Sequence, residues 1–387
     1  MIITHINISV NDIIKIIITT LMFFHGLFSA RMLIVKTLEQ IDKLYKSHNL
    51  TVEEYRFLIS HVNENLIEYA AKKAEEIRKE FYGNKVFIRG LIEISNCCKN
   101  NCFYCGIRRD NKNAIRYRLS PEEILQCCKK GYELGFRTFV LQGGEDSFYN
   151  DEILCNLIEE IKKNMPDCAV ALSLGERSFE SYNKLKTAGA DRYLLRQETA
   201  TEEHYQKLHP SEMSFSNRMK CLENLKALGY QTGAGFMVGS PFQNEENLAR
   251  DLFFIQNFKP EMCGIGPFIP HMDTDFNSFP AGTLNQTLLC LSLIRLANPK
   301  ILLPATTALA TISSGGIPLG IKAGANVVMP NLTPVSVRKN YSLYDRKADT
   351  GNQAAENLEI LKKQMKAIGY EVVVDRGDFL RNKLKSI

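Results

Sequence analysis

Val86-Phe-Ile-Arg-Gly-Leu-Ile-Glu-Ile94 runs through Ser95-Asn96-Cys97 into Cys98-Lys-Asn-Asn-Cys102-Phe-Tyr-Cys105. The first part has the length and the apolar, β-branched content of a buried strand. Seven further runs of this kind follow, at 138–142, 169–174, 192–196, 233–238, 262–266, 301–305 and 326–329. Amphipathic segments separate them. One opens with Ser120-Pro121-Glu122-Glu123, an N-cap, a proline at the first helical position and acids in the first turn. Eight strand–helix units in about 240 residues predict an α/β fold, a (β/α)8 TIM barrel. A doubly wound sheet is the alternative, because alternation alone does not show closure.

On either side of the barrel pattern the chain reads as helix. Thr51 and Glu54 form a capping-box signature, and Leu58, Val62, Leu66, Ala70 and Ala74 recur at helical spacing to about Lys79. At the other end Leu358, Leu361, Met365 and Ile368 share one face of a last helix, expected to close the barrel. No linker rich in Pro, Gly or Ser divides the chain. The expected organisation is an extension outside the fold at 1–31, a helical segment at 32–84, and one barrel domain with its C-terminal helix at 85–387. Within the extension, 16–30 is uncharged and mostly apolar, but short of the roughly 20 residues that span a bilayer. It also lacks the basic flank and cleavage site of a secretory signal, so no targeting role is expected.

Composition narrows the function classes. Of 387 residues 45% are hydrophobic and 24% charged, which excludes a disordered chain, a collagen-like repeat and a polytopic membrane protein. A net charge of only +5 gives no reason to expect nucleic acid as a partner. Eleven cysteines, an odd number in a large chain, argue against a disulfide framework and for ligation in a reducing, cytoplasmic compartment.

Cys98, Cys102 and Cys105 are spaced to wrap one loop around a single iron–sulfur cubane, for which thiolates are the usual ligands. Three ligands on four irons leave one iron open to a small molecule. Zinc requires a fourth ligand, normally from a second Cys or His pair. Cys127 and Cys128 do not supply one: adjacent on a helix, they diverge by about 100°. Cys97 is expected to be an ordinary core thiol. A non-catalytic zinc or electron-transfer protein remains the non-enzymatic alternative.

The Cys-x3-Cys-x-aromatic-Cys loop after a barrel's first strand resembles that of the radical S-adenosylmethionine (SAM) enzymes. The ordered strand-end motifs are more specific. LQGGED (141–146), LSLGER (172–177), AGADRYLLRQET (188–199), GIGPFIPH (264–271), LPATTALAT (303–311) and GANVVMPNLTP (324–334) resemble those of HydE, the radical SAM maturase family of [FeFe]-hydrogenase. Methylornithine synthase and biotin synthase are the nearest relatives. The resemblance covers roughly 55–377.

It implies a (β/α)8 barrel whose functional residues gather at the carboxyl ends of the strands. Cys98, Cys102 and Cys105 would hold one [4Fe–4S] cluster. Tyr104, Gly143, Gly144, Glu145, Ser173, Glu198 and Arg218 would bind SAM. Arg192 and Arg196, facing one way by period two, would meet an anionic substrate with Glu176, Met262, Thr306, Thr307 and Tyr341. For the two threonines, helix capping is compatible with that role. Some HydE proteins bind an accessory cluster through three more cysteines near the carboxyl end. No cysteine follows Cys290 here, so no second cluster is expected.

The resemblance also implies reductive cleavage of SAM to a 5′-deoxyadenosyl radical, with an electron donor such as ferredoxin or flavodoxin. The implied substrate is an iron–dicarbonyl–cyanide complex carrying cysteine, supplied by HydG, with the product passed to HydF. The alternatives are an amino-acid mutase of the methylornithine type or a biotin synthase-like enzyme.

Overall fold

In the structure, a computed structural model, residues 32–348 and 354–381 are described; the extension expected at 1–31 lies outside them. Three helices precede the first strand: 32–47, Val52–Ser60 and Glu64–Tyr82. The periodicity from Thr51 to Lys79 predicts one helix, and the structure breaks it in two. The Thr51–Glu54 capping box forms as expected, but Asn63 starts a second helix by accepting the Leu66 N–H at 3.0 Å. Apolar spacing continues across the break because both pieces pack on the barrel's outer helices, Val52–Ser60 on Glu245–Phe258 and Glu64–Tyr82 on Leu284–Ala297. Among the described residues no helix is long and apolar enough to cross a membrane.

The first barrel strand is Lys85–Ile88 and Gly90–Ser95, interrupted only at Arg89. From it a parallel ladder passes through Thr138–Gly143, Ala169–Ser173, Arg192–Leu194, Gln231–Ala234 and Met262–Cys263. The ring then continues by bridges, Met262 to Leu302 and Pro304 to Val327. Val327–Val328 pairs with Phe87 and Ile88, and Leu91 with Asn331, which returns the ladder to the first strand. These are the eight expected strands, closed into a barrel. The seventh is reduced to single bridges, because Pro304 has no N–H to give to a ladder.

Alternation sorts the side chains. Phe139, Leu141, Val170, Leu172, Tyr193 and Leu195 join the outer core under the helices. Leu91, Val140 and Ala171 cluster inside the barrel with Met329. Glu93, Gln142 and Ser173 are paired in register, two residues further along each strand. The interior is thus apolar at mid-height and polar toward the carboxyl ends, where the cysteine loop leaves the first strand.

At the base, helix Ala354–Ala367 buries Leu358, Leu361 and Met365 in the main core. Strand Glu371–Val373 pairs with Lys85–Phe87, and the segment after it crosses the amino-terminal end. Arg192 is fully buried there. It reaches Asp378 at 2.9 Å and donates to Thr138 Oγ1 and the Arg376 carbonyl at 2.8 Å each. The expected grouping of Arg192 with Arg196 is therefore corrected: both point inward, but Leu194 separates them and Arg192 serves the base. Removing one partner of a buried pair leaves a charge uncompensated. Asp378 is 43% exposed, so the full penalty does not apply. Asp378→Ala is expected to lower stability in urea unfolding by about 1–2 kcal/mol with SAM affinity unchanged. Loss of SAM binding without loss of stability would place Arg192 with the site after all.

Candidate active site

Ser95 and Asn96 turn the chain out of the first strand. Ser95 Oγ donates to Asp146 at 2.7 Å and accepts the Cys97 N–H at 3.0 Å. Asn96 donates to the Ile115 and Asn340 carbonyls at 2.8 and 2.7 Å and accepts the Tyr117 N–H. The loop that follows brings Cys98, Cys102 and Cys105 together as free, half-buried thiols. Burial pushes all three pKa values up, Cys102 well above the usual range and Cys105 to about 12, and for both the neighbouring thiols add to the rise. Such thiols become thiolates only against a positive centre. Among the described residues no three His, Cys, Asp or Glu side chains converge closely enough for a single ion. Cys97 is turned aside, its Sγ 3.9 Å from the Tyr117 carbonyl.

The second strand's loop presses against the thiols. A Cβ on Gly144 would lie 2.2 Å from the Cys97 carbonyl oxygen and 2.7 Å from Cys98 Cβ, so only glycine fits. Glu145 N–H points at Cys98 Sγ, 3.4 Å away. Its carboxylate accepts the Glu176 N–H at 2.9 Å and lies 3.2 Å from Lys99 Nζ. Gly175, at φ +74°, lets the third strand's loop close over it: a Cβ there would sit 2.0 Å from Glu145 Cγ. Gly144→Ala is expected to cut iron uptake roughly tenfold through this overpacking. Normal iron content in that variant would mean the loop yields.

Glu198 is buried with φ +67°, a conformation a non-glycine residue adopts only when its surroundings impose it. Its N–H is held by the Gly235 carbonyl at 3.0 Å, and two residues on the Ala200 N–H is held by the buried Asp251 carboxyl at 2.5 Å. Arg218 bonds Glu176 at 2.5 Å and the Arg196 carbonyl at 2.7 Å. Glu176, expected on the substrate side, is thus the partner of Arg218. Tyr104 meets His209 Nε2 at 3.1 Å; burial and the Arg218 charge lower the His209 pKa to about 3, so that ring is neutral.

A second set of buried polar atoms makes no hydrogen bond among the described residues. Arg196 Nη2 lies 2.9 Å from Glu198 Oε2 at an angle that makes no hydrogen bond. Arg196 Nε, Glu198 Oε2 and Thr306 Oγ1 are buried and likewise unbonded among the described residues. Thr306 stands at the N-cap of helix Thr307–Ile312, yet its side chain makes no capping bond. Burying such groups without partners is costly, and a polar ligand in the same space removes the cost. Tyr341 is buried with its hydroxyl 3.3 Å from Gln142 Nε2. Met262 lies deeper, packed with Phe87, Leu302 and Val327, and Arg89 Nη1 donates to its sulfur at 3.0 Å.

Sequence reasoning passed over several of these residues. Glu93 is buried on the first strand, bonded to Lys347 and, at 3.0 Å, to Asn331, and burial raises its pKa. A glutamate at an inward position of an apolar strand was the available signal. For Asp251 and His209 there was none, because both act through loops distant in sequence.

The pattern of the Radical SAM superfamily matches residues 92–255. The [FeFe] hydrogenase maturase subunit HydE of Thermotoga maritima is 44% identical over 339 residues, 88% of this chain and 96% of the relative. The chain belongs to the HydE family of radical SAM enzymes. A 3-methylornithine synthase of Methanosarcina acetivorans is 29% identical over 85% of this chain and 92% of its own length. The crystal structure of methylornithine synthase (PylB) superposes with a TM-score of 0.76 at 27% identity, covering 86% of this chain and 97% of that one. HydE-family membership makes the chain an enzyme and sets aside the zinc and electron-transfer readings. The superfamily's chemistry requires a [4Fe–4S] cluster and SAM. The residues here fit both, with three thiols in one loop, a glycine cradle beside them and unbonded buried donors and acceptors at the same barrel end.

Proposed function

We propose that this chain acts in [FeFe]-hydrogenase maturation on an iron–dicarbonyl–cyanide complex carrying cysteine. Cys98, Cys102 and Cys105 hold one cluster in this reading, and Tyr104, Gly143, Gly144, Glu145, Ser173, Glu198 and Arg218 bind SAM. Residues 32–84 form a helical segment ahead of a barrel domain at 85–387. The observation that carries the reading is the set of unbonded buried atoms on Arg196, Glu198 and Thr306, at the same end of the barrel as the three thiols.

When bound, the reduced cluster supplies one electron to SAM, which splits into methionine and a 5′-deoxyadenosyl radical. The chain's own part is placement. Glu145 offers a carboxylate to an ammonium group, held in place by the Glu176 N–H. Arg196 and Thr306 present N–H and O–H donors to an anionic substrate. Leu91, Val140, Ala171 and Met329 close the interior below and keep water from a reactive radical. HydG supplies the substrate in this reading, HydF receives the product, and a ferredoxin or flavodoxin delivers the electron in a reducing cytoplasm.

Co-expression with HydF, HydG and an apo-hydrogenase tests the function: activation that persists when this chain is omitted would sink it. Turnover of an amino acid to a rearranged isomer, with no hydrogenase activation, would favour the methylornithine-type reaction. Iron analysis of the fully loaded chain is expected to stop near four irons, since no cysteine follows Cys290. A reproducible second cluster signal in electron paramagnetic resonance would contradict the single-cluster reading.

A further inference from the structure

The loop that carries the three thiols is tied together by one guanidinium outside the ligand set. Arg116 Nη1 donates to the carbonyls of Asn96 at 2.6 Å and Ile107 at 2.9 Å. Its Nη2 donates to those of Arg108 at 2.6 Å and Asn111 at 3.1 Å, with a longer approach to Arg109 at 3.4 Å. Asn96 stands just before Cys98 and Ile107 just after Cys105, so the donors of one planar fork fasten both ends of the ligand run.

Four other cations of this stretch are matched by carboxylates. Lys99 lies 3.2 Å from Glu145, Arg108 2.8 Å from Asp275, Arg109 3.0 Å from Asp110, and Arg118 2.7 Å from Asp146. Among the described residues no carboxylate is within ion-pair distance of Arg116, whose acceptors are backbone carbonyls. Its charge therefore acts on the loop without a counter-charge.

We propose that Arg116 is a positioning residue for the cluster, and that its uncompensated charge favours the cluster's reduced state. The inference rests on the cluster reading above. Reduction adds one electron, drawn from an external one-electron donor, and so one negative charge within the loop. A fixed cation nearby stabilises that state more than the oxidised one and makes the potential less negative.

The test compares Arg116→Lys, which keeps the charge, with Arg116→Gln, which keeps N–H donors and loses it. Full-length proteins are reconstituted anaerobically with iron and sulfide, then titrated with dithionite under electron paramagnetic resonance; iron content and melting temperature are measured alongside. The Lys variant is expected to load iron and keep the wild-type midpoint. The Gln variant is expected to load less iron, and at the wild-type midpoint its ratio of reduced to oxidised cluster should fall roughly tenfold. A Gln variant that loads no iron, beside a Lys variant with normal iron and midpoint, also supports the proposal. Equal midpoints in all three proteins would overturn it, as would equal shifts in both variants. Iron loss in both variants at unchanged melting temperature would reduce Arg116 to a brace and overturn the role of its charge. A wild-type chain that takes up no cluster would instead sink the reading on which the inference stands.

Discussion

Anaerobically reconstituted Cys98→Ala, Cys102→Ala and Cys105→Ala proteins are each expected to lose SAM cleavage entirely, while Cys97→Ala keeps it. A cubane held by three thiolates has no spare protein ligand, so each removal leaves a second iron without one. Cys97 is the internal control. It is adjacent to Cys98, but its sulfur faces the Tyr117 carbonyl and its own carbonyl is packed against Gly144. Iron content, the visible spectrum and 5′-deoxyadenosine release would be measured together. Bleaching in Cys97→Ala with normal activity in Cys98→Ala would mean that the register of the ligand run is wrong by one residue. Since all four substitutions remove a single thiol, a general sensitivity of the loop would affect them alike.

Arg196→Ala, and Thr306→Ala with Thr307→Ala, are expected to separate substrate handling from radical generation. Uncoupled SAM cleavage should survive in both proteins while hydrogenase activation falls. Loss of a charge-assisted contact costs about 1.5–3 kcal/mol, a drop of roughly tenfold or more. Glu198→Ala should weaken SAM binding and lower both activities together. The contrast is demanding because Arg196 and Glu198 are two residues apart and lie 2.9 Å from each other. A folding defect at either position would appear in both assays. Equal loss of the two activities in every variant would remove the basis for giving Arg196 to the substrate. Normal hydrogenase activation by the Arg196 variant would count against an anionic pocket altogether.

Much of this was legible in the chain itself. Seven of the eight strands fall where apolar runs predict them and the run at 301–305 forms bridges, the Thr51–Glu54 capping box and the Ser120 N-cap form as expected, and the cysteine spacing places three thiols in one loop. These are short-range properties: strand period, cap chemistry and loop spacing are set by neighbours within a few residues. Inward and outward faces follow for the same reason, and Arg192, Leu194 and Arg196 do share the barrel interior as period two requires.

What period two leaves open is height and partner. Arg192 is neutralised by Asp378 and by carbonyls of residues 376 and 377, at the opposite end from the thiols. Arg196 is within ion-pair distance of Glu198, 2.9 Å, yet its buried Nε and Nη2 make no hydrogen bond. The same residue type on the same strand face thus has a structural role at one end and is left available for a ligand at the other. The break at Asn63, the passage of 374–381 beneath the barrel, and the holding of the Glu198 loop by Asp251 are of the same kind. The sequence by itself determined the strands, their faces and the ligand loop, because local sterics and hydrogen bonding decide those. Only the tertiary structure decided which buried charges are satisfied, because that depends on groups brought together from tens to hundreds of positions away along the chain.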